Sequence, residues 1–213
     1  MDSMEQDKTF LGTEPIGKLL MKLAVPTVIA QLVNMLYNII DRVYIGHIPG
    51  EGSMALTGVG VCMPLILIIA AFAALVGSGG SPRASIYMGK GEHDTAEKIL
   101  TGCLSLQIIV SIILTVILLI WNENLLLMFG ASENTISYAT AYMNIYAIGT
   151  IFVQITLGMN TFITAQGKAI TGMMTVLIGA VANIILDPMI IFGIGPFPEL
   201  GIAGAALATG FGQ

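Results

Sequence analysis

Two aspartates occupy positions where an acidic side chain is costly, because Asp41 and Asp187 each lie inside a long apolar stretch. The other 11 of the 13 acidic residues fall near the N-terminus or in short polar connections. An acidic side chain at the centre of a bilayer costs roughly 2.5–3.5 kcal/mol on insertion scales. A chain that keeps two such residues is expected to use them, and the chemistry that suits them best is the handling of a cation.

Asp41 ends a line of polar residues. Gln31, Asn34, Asn38 and Asp41 are spaced by three, four and three residues, so they share one face of a helix. Polar side chains at membrane depth face a protein interior or a water-filled cavity. We therefore expect the three amides to line a cavity beside Asp41. The alternative for each amide is a hydrogen bond to a neighbouring helix.

Asp187 also has a polar neighbour. Asn183 precedes it by four residues, on the same helix face, and Pro188 follows it directly. Proline has no N–H, so it disturbs the helix and frees the carbonyl of Ile184. A carboxylate, an amide oxygen and a carbonyl suit a hard cation such as Na⁺. They also suit a proton carrier, since an apolar medium favours the neutral form of a carboxyl group. A structural aspartate at a kink is the alternative.

The elements that carry these residues are predicted to be membrane helices. The chain is 55% apolar and 10% charged, with a mean hydropathy of +0.88. Positions 52–82, 99–122 and 134–167 carry no charge, and each run can hold the roughly 20 apolar residues that span a bilayer. We predict six hydrophobic segments in one domain of residues 1–213, at about 19–45, 55–76, 99–120, 136–162, 170–192 and 200–213. The glycine-rich stretch 77–82 is predicted to end the second helix.

The sixth segment predicts an incomplete span. Residues 200–213 would form about 21 Å of helix, which is too short to cross a bilayer upright. We therefore expect the chain to be a fragment or a truncated product.

Basic residues predict the orientation. Lys8, Lys18 and Lys22 precede the first span, Arg83, Lys90 and Lys98 surround the second connection, and Lys168 lies in the fourth. Arg42 is the eighth basic residue and directly follows Asp41. Lysine and arginine concentrate in cytoplasmic connections, so we expect a cytoplasmic N-terminus.

Several functions are not supported by any pattern. The chain has no phosphate-cradling glycine loop and no Ser/His/Asp set, so we do not expect an enzyme or a nucleic-acid partner. Cys62 and Cys103 lack metal or redox spacing, and His47 and His93 are far apart in the sequence. We expect no cofactor and no metal site, apart from Na⁺ at Asp41, Asn183 and Asp187.

Four stretches resemble the multidrug and toxic compound extrusion (MATE) transporters. They are residues 26–46, which contain Asn-Met-Leu-Tyr-Asn-Ile-Ile-Asp-Arg-Val-Tyr-Ile-Gly, and 55–60, Ala-Leu-Thr-Gly-Val-Gly. Residues 159–167, Met-Asn-Thr-Phe-Ile-Thr-Ala-Gln-Gly, and 182–188, Ala-Asn-Ile-Ile-Leu-Asp-Pro, follow in the same order. The chain departs from the family at Thr164, where many members have arginine, and around Arg83, where the basic residue is displaced.

The resemblance implies an all-α polytopic membrane protein. Family members have twelve helices in two six-helix lobes, and this chain would be the N-terminal lobe with its sixth helix truncated and the second lobe absent. It implies a secondary active antiporter that exports organic, often cationic, compounds through the bacterial inner membrane in exchange for Na⁺ or H⁺. The family's cation site matches Asp41, Asn183, Asp187 and Thr209.

Two other functions remain open from the sequence. One is a flippase for lipid-linked glycans with similar architecture, whose phosphate-bearing cargo would favour a cavity rich in basic residues. This chain has a single arginine, Arg42, within its predicted spans, which counts against that function. The other is a membrane remnant that does not transport.

Overall fold

The computed structural model describes residues 14–212, which form six helices. They are α1 Ile16–Gly46, α2 Gly52–Gly89, α3 His93–Met128, α4 Ile136–Ala165, α5 Ala169–Ile191 and α6 Gly201–Gly212. Within the described residues there is no strand, which confirms the all-α prediction. Lys8, which contributed to the predicted orientation, lies outside the described residues.

Five of the helices are long and apolar enough to cross a membrane, namely α1 to α5. The sixth has 12 residues, about 18 Å of helix. The connections alternate in charge: 47–51, 129–135 and 192–200 hold no lysine or arginine, whereas 90–92 and 166–168 each hold a lysine. We call the two ends of the bundle the lysine-poor end and the lysine-rich end.

The second helix is longer than predicted, because it continues through the glycine-rich stretch 77–82 and ends at Gly89. The glycines there are packing points. A Cβ at Gly77 would lie 2.8 Å from Oγ1 of Thr161 on α4, and one at Gly80 would overlap the Cys103 side chain on α3. The prediction that this stretch ends the helix was wrong, because its small residues serve the close approach of neighbouring membrane helices.

Two prolines lie inside helices, and one aromatic residue departs from helical geometry. The helices continue through Pro26 in α1 and Pro188 in α5, so neither proline ends its helix. The one residue with non-helical φ/ψ inside a described helix is Trp121, at φ −109° and ψ 15°. It lies within α3, which continues to Met128 beyond the predicted boundary.

The bundle has two packed groups joined by α6. Helices α2, α3 and α4 pack on one another, α1 packs mainly on α5, and α6 lies against both α5 and α4. The largest fully buried apolar side chains are Ile45, Ile69, Leu126, Met143 and Ile191. Most of these lie toward the lysine-poor end, where α6 is present, so the best-packed part of the bundle is at that end.

Candidate cation-coupling site

Asp41 faces the protein although its helix is mostly exposed. Asp41 and Ile45 are the only two buried residues of the 31-residue helix α1, and Asp41 is 6% exposed. On the same helix Leu32, Met35 and Ile39 are each more than half exposed. The acidic side chain is thus turned away from the apolar surface of α1 and into the bundle, at the lysine-poor half.

Asn183, Asp187 and Thr209 form a connected group on α5 and α6. Asn183 and Asp187 are 1% and 0% exposed. In the amide orientation that satisfies both neighbours, Asn183 Nδ2 donates to Asp187 Oδ2 at 2.9 Å. Its Oδ1 then accepts from the backbone N–H of Thr209 at 3.3 Å. One amide therefore joins the carboxylate of α5 to the backbone of α6.

The Asp41 and Asp187 carboxylates interact electrostatically, and Asp41 also interacts with the Tyr142 side chain on α4, so polar groups of α1, α4 and α5 lie in one region of the bundle. Among the described residues no lysine, arginine or histidine nitrogen lies within 4.0 Å of either carboxylate. Like charges in an apolar interior repel, which favours an added proton or cation between them.

Two buried oxygens at this place lack a hydrogen-bond partner among residues 14–212. They are Oδ1 of Asp41 and Oγ1 of Thr209. The Thr209 side chain also lies beside the Tyr142 side chain on α4. Native proteins rarely bury polar atoms without partners, so such atoms call for an explanation such as a ligand. Carboxylate and hydroxyl oxygens are ligands of the type that Na⁺ and protons take.

Arg42 makes no ion pair with Asp41, although the two side chains interact electrostatically. Its Nη2 lies 3.1 Å from Sδ of Met63 on α2, and the side chain is exposed. Consecutive residues on a helix point about 100° apart, which explains why Arg42 turns toward α2 while Asp41 turns inward. The ion pair that adjacency in sequence suggests is absent between these two described residues.

Two of the three amides that precede Asp41 on α1 line a cavity, and the third does not. Gln31 and Asn34 line a cavity of about 400 Å³ between α1, α4 and α5, together with Asn160 and Thr175. Asn38 does not line it: its Nδ2 donates to the backbone oxygen of Asn34 at 2.7 Å. The cavity is bordered by Gly212, the last described residue, where an added Cβ would lie 3.0 Å from Cβ of Asn183.

Tyr142 is the site residue that sequence reasoning did not assign. The sequence held a signal for it, since Tyr142 and Tyr146 are four residues apart, both are buried, and their rings stack with centroids 6.1 Å apart. Two tyrosines on one face of a membrane helix indicate an interior surface. No group of three or more His, Cys, Asp or Glu side chains that could hold a metal ion occurs among the described residues.

A bundle of five membrane-length helices that shields two carboxylates from lipid has the architecture of a polytopic transport protein. The MatE family model matches residues 26–189. The chain belongs to this family, the multidrug and toxic compound extrusion transporters.

Two curated relatives match nearly the whole chain. An FAD transporter of Shewanella oneidensis is 31% identical over 97% of this chain and 45% of its own length. The multidrug export protein MepA of Staphylococcus haemolyticus is 28% identical over 97% of this chain and 44% of its own length. The chain thus spans about half the length of the curated relatives that it matches.

Solved structures agree with the fold. A multidrug-resistance MATE transporter in an outward-facing conformation superposes with a TM-score of 0.82 at 27% identity, over 92% of this chain and 42% of that chain. These comparisons confirm the predicted family and the all-helical class of fold.

Proposed function

We propose that the described helices hold the cation site of a secondary active exporter, and that Asp41, Asn183, Asp187 and Thr209 bind the coupling ion. The observation that carries the proposal is a pair of buried, electrostatically interacting carboxylates with no basic nitrogen within 4.0 Å among the described residues. Oδ1 of Asp41 and Oγ1 of Thr209, which have no hydrogen-bond partner among those residues, are the proposed ligands on α1 and α6. Sodium and protons both suit this set of oxygens.

The proposed cargo is an organic compound, often cationic, that leaves the cell as the ion enters. This rests on the family and on the multidrug export named for MepA. One elementary charge moved across 100 mV supplies about 2.3 kcal/mol, which supports roughly 50-fold accumulation of cargo. We also propose that a second six-helix lobe is needed to enclose the cargo, since substrate sites of such transporters lie between repeats.

The lipid-linked glycan flippase is less well supported. Arg42 is the only basic residue in the lysine-poor half of the described helices, so few groups could bind phosphate there. A remnant without transport activity would have no need of two costly carboxylates. Expressed alone in vesicles, the 213 residues are expected not to extrude a fluorescent cation.

We propose that the lysine-rich end is cytoplasmic in the bacterial inner membrane, since Lys18, Lys22, Lys90 and Lys168 all lie at that end. A Lys168→Cys variant should then react with an impermeant thiol reagent only from the cytoplasmic side. Labelling only from the opposite side would reverse the orientation.

The central test measures ion-driven efflux. Everted vesicles carrying this lobe together with a second six-helix lobe should accumulate a fluorescent cation, and Asp41→Asn or Asp187→Asn should abolish that transport. Asp94→Asn is a matched control, because it removes an exposed acid at the start of α3. Selective collapse of the Na⁺ or the proton gradient then assigns the ion. Unimpaired export by both site variants would overturn the proposal.

A further inference from the structure

A groove that the transport site does not use runs between α2 and α3 near the lysine-rich end. It has a volume of about 500 Å³ and is lined only by residues of these two helices, among them Leu75, Gly79, Ile99, Gly102 and Leu106. A Cβ built at Gly79 or Gly102 would meet no described atom within 4 Å. The two glycines therefore leave the floor of the groove open along its length.

The depth of the groove follows from the charge pattern. Arg83 on α2 follows the charge-free positions 52–82. Lys98 on α3 precedes the charge-free positions 99–122. The boundary between hydrocarbon and water therefore lies near Arg83 and Lys98. Leu75 is eight residues from Arg83, so the groove extends about 12 Å from that boundary toward the bilayer centre.

The mouth of the groove carries positive charge. Arg83 lines it, is exposed, and makes no ion pair or hydrogen bond with another described residue. Tyr87 lies one turn further along the same face, and Nζ of Lys90 is 5.2 Å from its ring centroid. An exposed arginine at the membrane boundary pairs well with phosphate, since the guanidinium group offers two parallel donors.

The described acidic residues near the mouth make no ion pair with Arg83. Glu92 accepts a hydrogen bond of 3.4 Å from the hydroxyl of Thr95. Glu97 lines a separate, smaller cavity together with His93. The groove thus combines an apolar trench at hydrocarbon depth with an unpaired cation at headgroup depth.

We propose that this groove binds an anionic phospholipid, with one acyl chain along Gly79 and Gly102 and the phosphate at Arg83. A free phosphate ion would have no use for the apolar trench, and a zwitterionic lipid would gain less from the cations at the mouth. The site is separate from the carboxylates, which lie in the opposite half of the bundle.

Native mass spectrometry of the purified protein tests the headgroup. Phosphatidylglycerol and phosphatidylcholine with identical acyl chains are added in turn. Phosphatidylglycerol should be retained more, and Arg83→Gln should reduce that preference about five-fold, the effect of one basic residue near a membrane surface. Lys168→Gln is the control, because it removes an exposed cation at the same end but outside the groove. Equal effects of the two variants would overturn the proposal.

A second pair of variants tests the trench. Gly102→Leu should lower retention of both lipids, whereas Gly60→Leu should not, because Gly60 has equally open surroundings outside the groove. Displacement of phosphatidylglycerol by inorganic phosphate at similar concentration would show a headgroup site alone and would refute the acyl-chain part. Cross-linking from Gly102→Cys to another polypeptide segment, in place of lipid, would refute the lipid as occupant.

Discussion

Asp187→Asn gives the sharpest test of the proposed ion site, because it removes a charge while preserving shape. The substituted amide keeps the volume of the side chain and can still accept the hydrogen bond from Asn183, whose donor atom lies 2.9 Å from Oδ2. A carboxylate about 4 Å from a cation contributes about 4 kcal/mol to the binding energy of that cation at an effective dielectric constant of 20. We use that constant because Asp187 is 0% exposed. The loss corresponds to about 1,000-fold weaker ion binding.

Direct ion binding to the purified protein measures this change. Titration calorimetry with Na⁺ and a potentiometric proton titration measure the two candidate ions, and one of them should bind to the unaltered protein at this site. Asp187→Asn should weaken the affinity by at least about 100-fold, allowing for solvent relaxation around the site. Asp94→Asn should leave it unchanged, since Asp94 is exposed at the start of α3. Affinities within three-fold of each other for all three proteins, with either ion, would refute the reasoning.

The same substitution separates a functional acid from a structural one. Removing a buried charge that has no basic partner should leave the free energy of unfolding unchanged or raise it in ion-free buffer. Breaking a structural ion pair would instead cost about 3–5 kcal/mol. Thermal unfolding distinguishes these outcomes, since 1 kcal/mol shifts Tm by about 2–4 °C in a chain of this size. A marked fall in Tm would assign Asp187 to structure.

Three further results are expected. Tyr142→Phe should weaken ion binding about five-fold, because it removes a hydroxyl near Asp41; unchanged binding would exclude Tyr142 from the site. Gly204→Val should lower the free energy of unfolding by about 1–3 kcal/mol, since its Cβ would lie 2.7 Å from the backbone oxygen of Ile190. Thermal unfolding measures this change, and Gly60→Val is the control, because no atom lies within 4 Å of a Cβ at Gly60. Arg42→Gln should reduce ion-driven efflux less than Asp41→Asn does, because the Arg42 side chain is exposed and turns toward Met63 on α2; equal loss of efflux would place Arg42 in the ion site.

Much of the fold follows from charge-free lengths and helical periodicity. The six helices correspond to the six predicted segments because each apolar run was bounded by charged or turn-forming residues. The approach of Asp41 to Asp187 also follows from the sequence: both helices run in the same direction, and each acid lies near the same end of its helix. Although Asp41 and Asp187 are far apart in the sequence, they therefore lie at similar depth in the bundle.

Other features depend on packing that the sequence does not display. The placement of Tyr142 beside Asp41 depends on how α4 packs on α2, where a Cβ at Gly58 would lie 3.0 Å from the backbone nitrogen of Ala139. The length of α2 depends on the role of its glycines. A glycine-rich stretch suits both a helix end and a close helix crossing, and only the position of Thr161 opposite Gly77 decides between them.

The hydrogen bonds of the buried polar residues distinguish the acids from the amides. Gln107 and Gln154, both fully buried, donate to the backbone oxygens of Ala73 and Ile69 on α2, at 3.5 and 2.8 Å. An amide can always do this, because helix carbonyls have a second lone pair. An ionised carboxylate only accepts, and the N–H groups inside a membrane helix are already paired within the helix.

A buried aspartate in such a bundle therefore depends on side-chain donors, a proton or a cation. Asp187 has the amide of Asn183, whereas one oxygen of Asp41 has no partner among the described residues. The buried amides of Gln107 and Gln154 each donate to a helix carbonyl, although Oε1 of each also lacks a partner among the described residues. The acids differ from the amides in charge and not in the number of unpartnered oxygens, since an ionised carboxylate in an apolar interior favours a proton or a cation beside it. That charge is the physical reason to place ion binding at Asp41 and Asp187 and a structural role at Gln107 and Gln154.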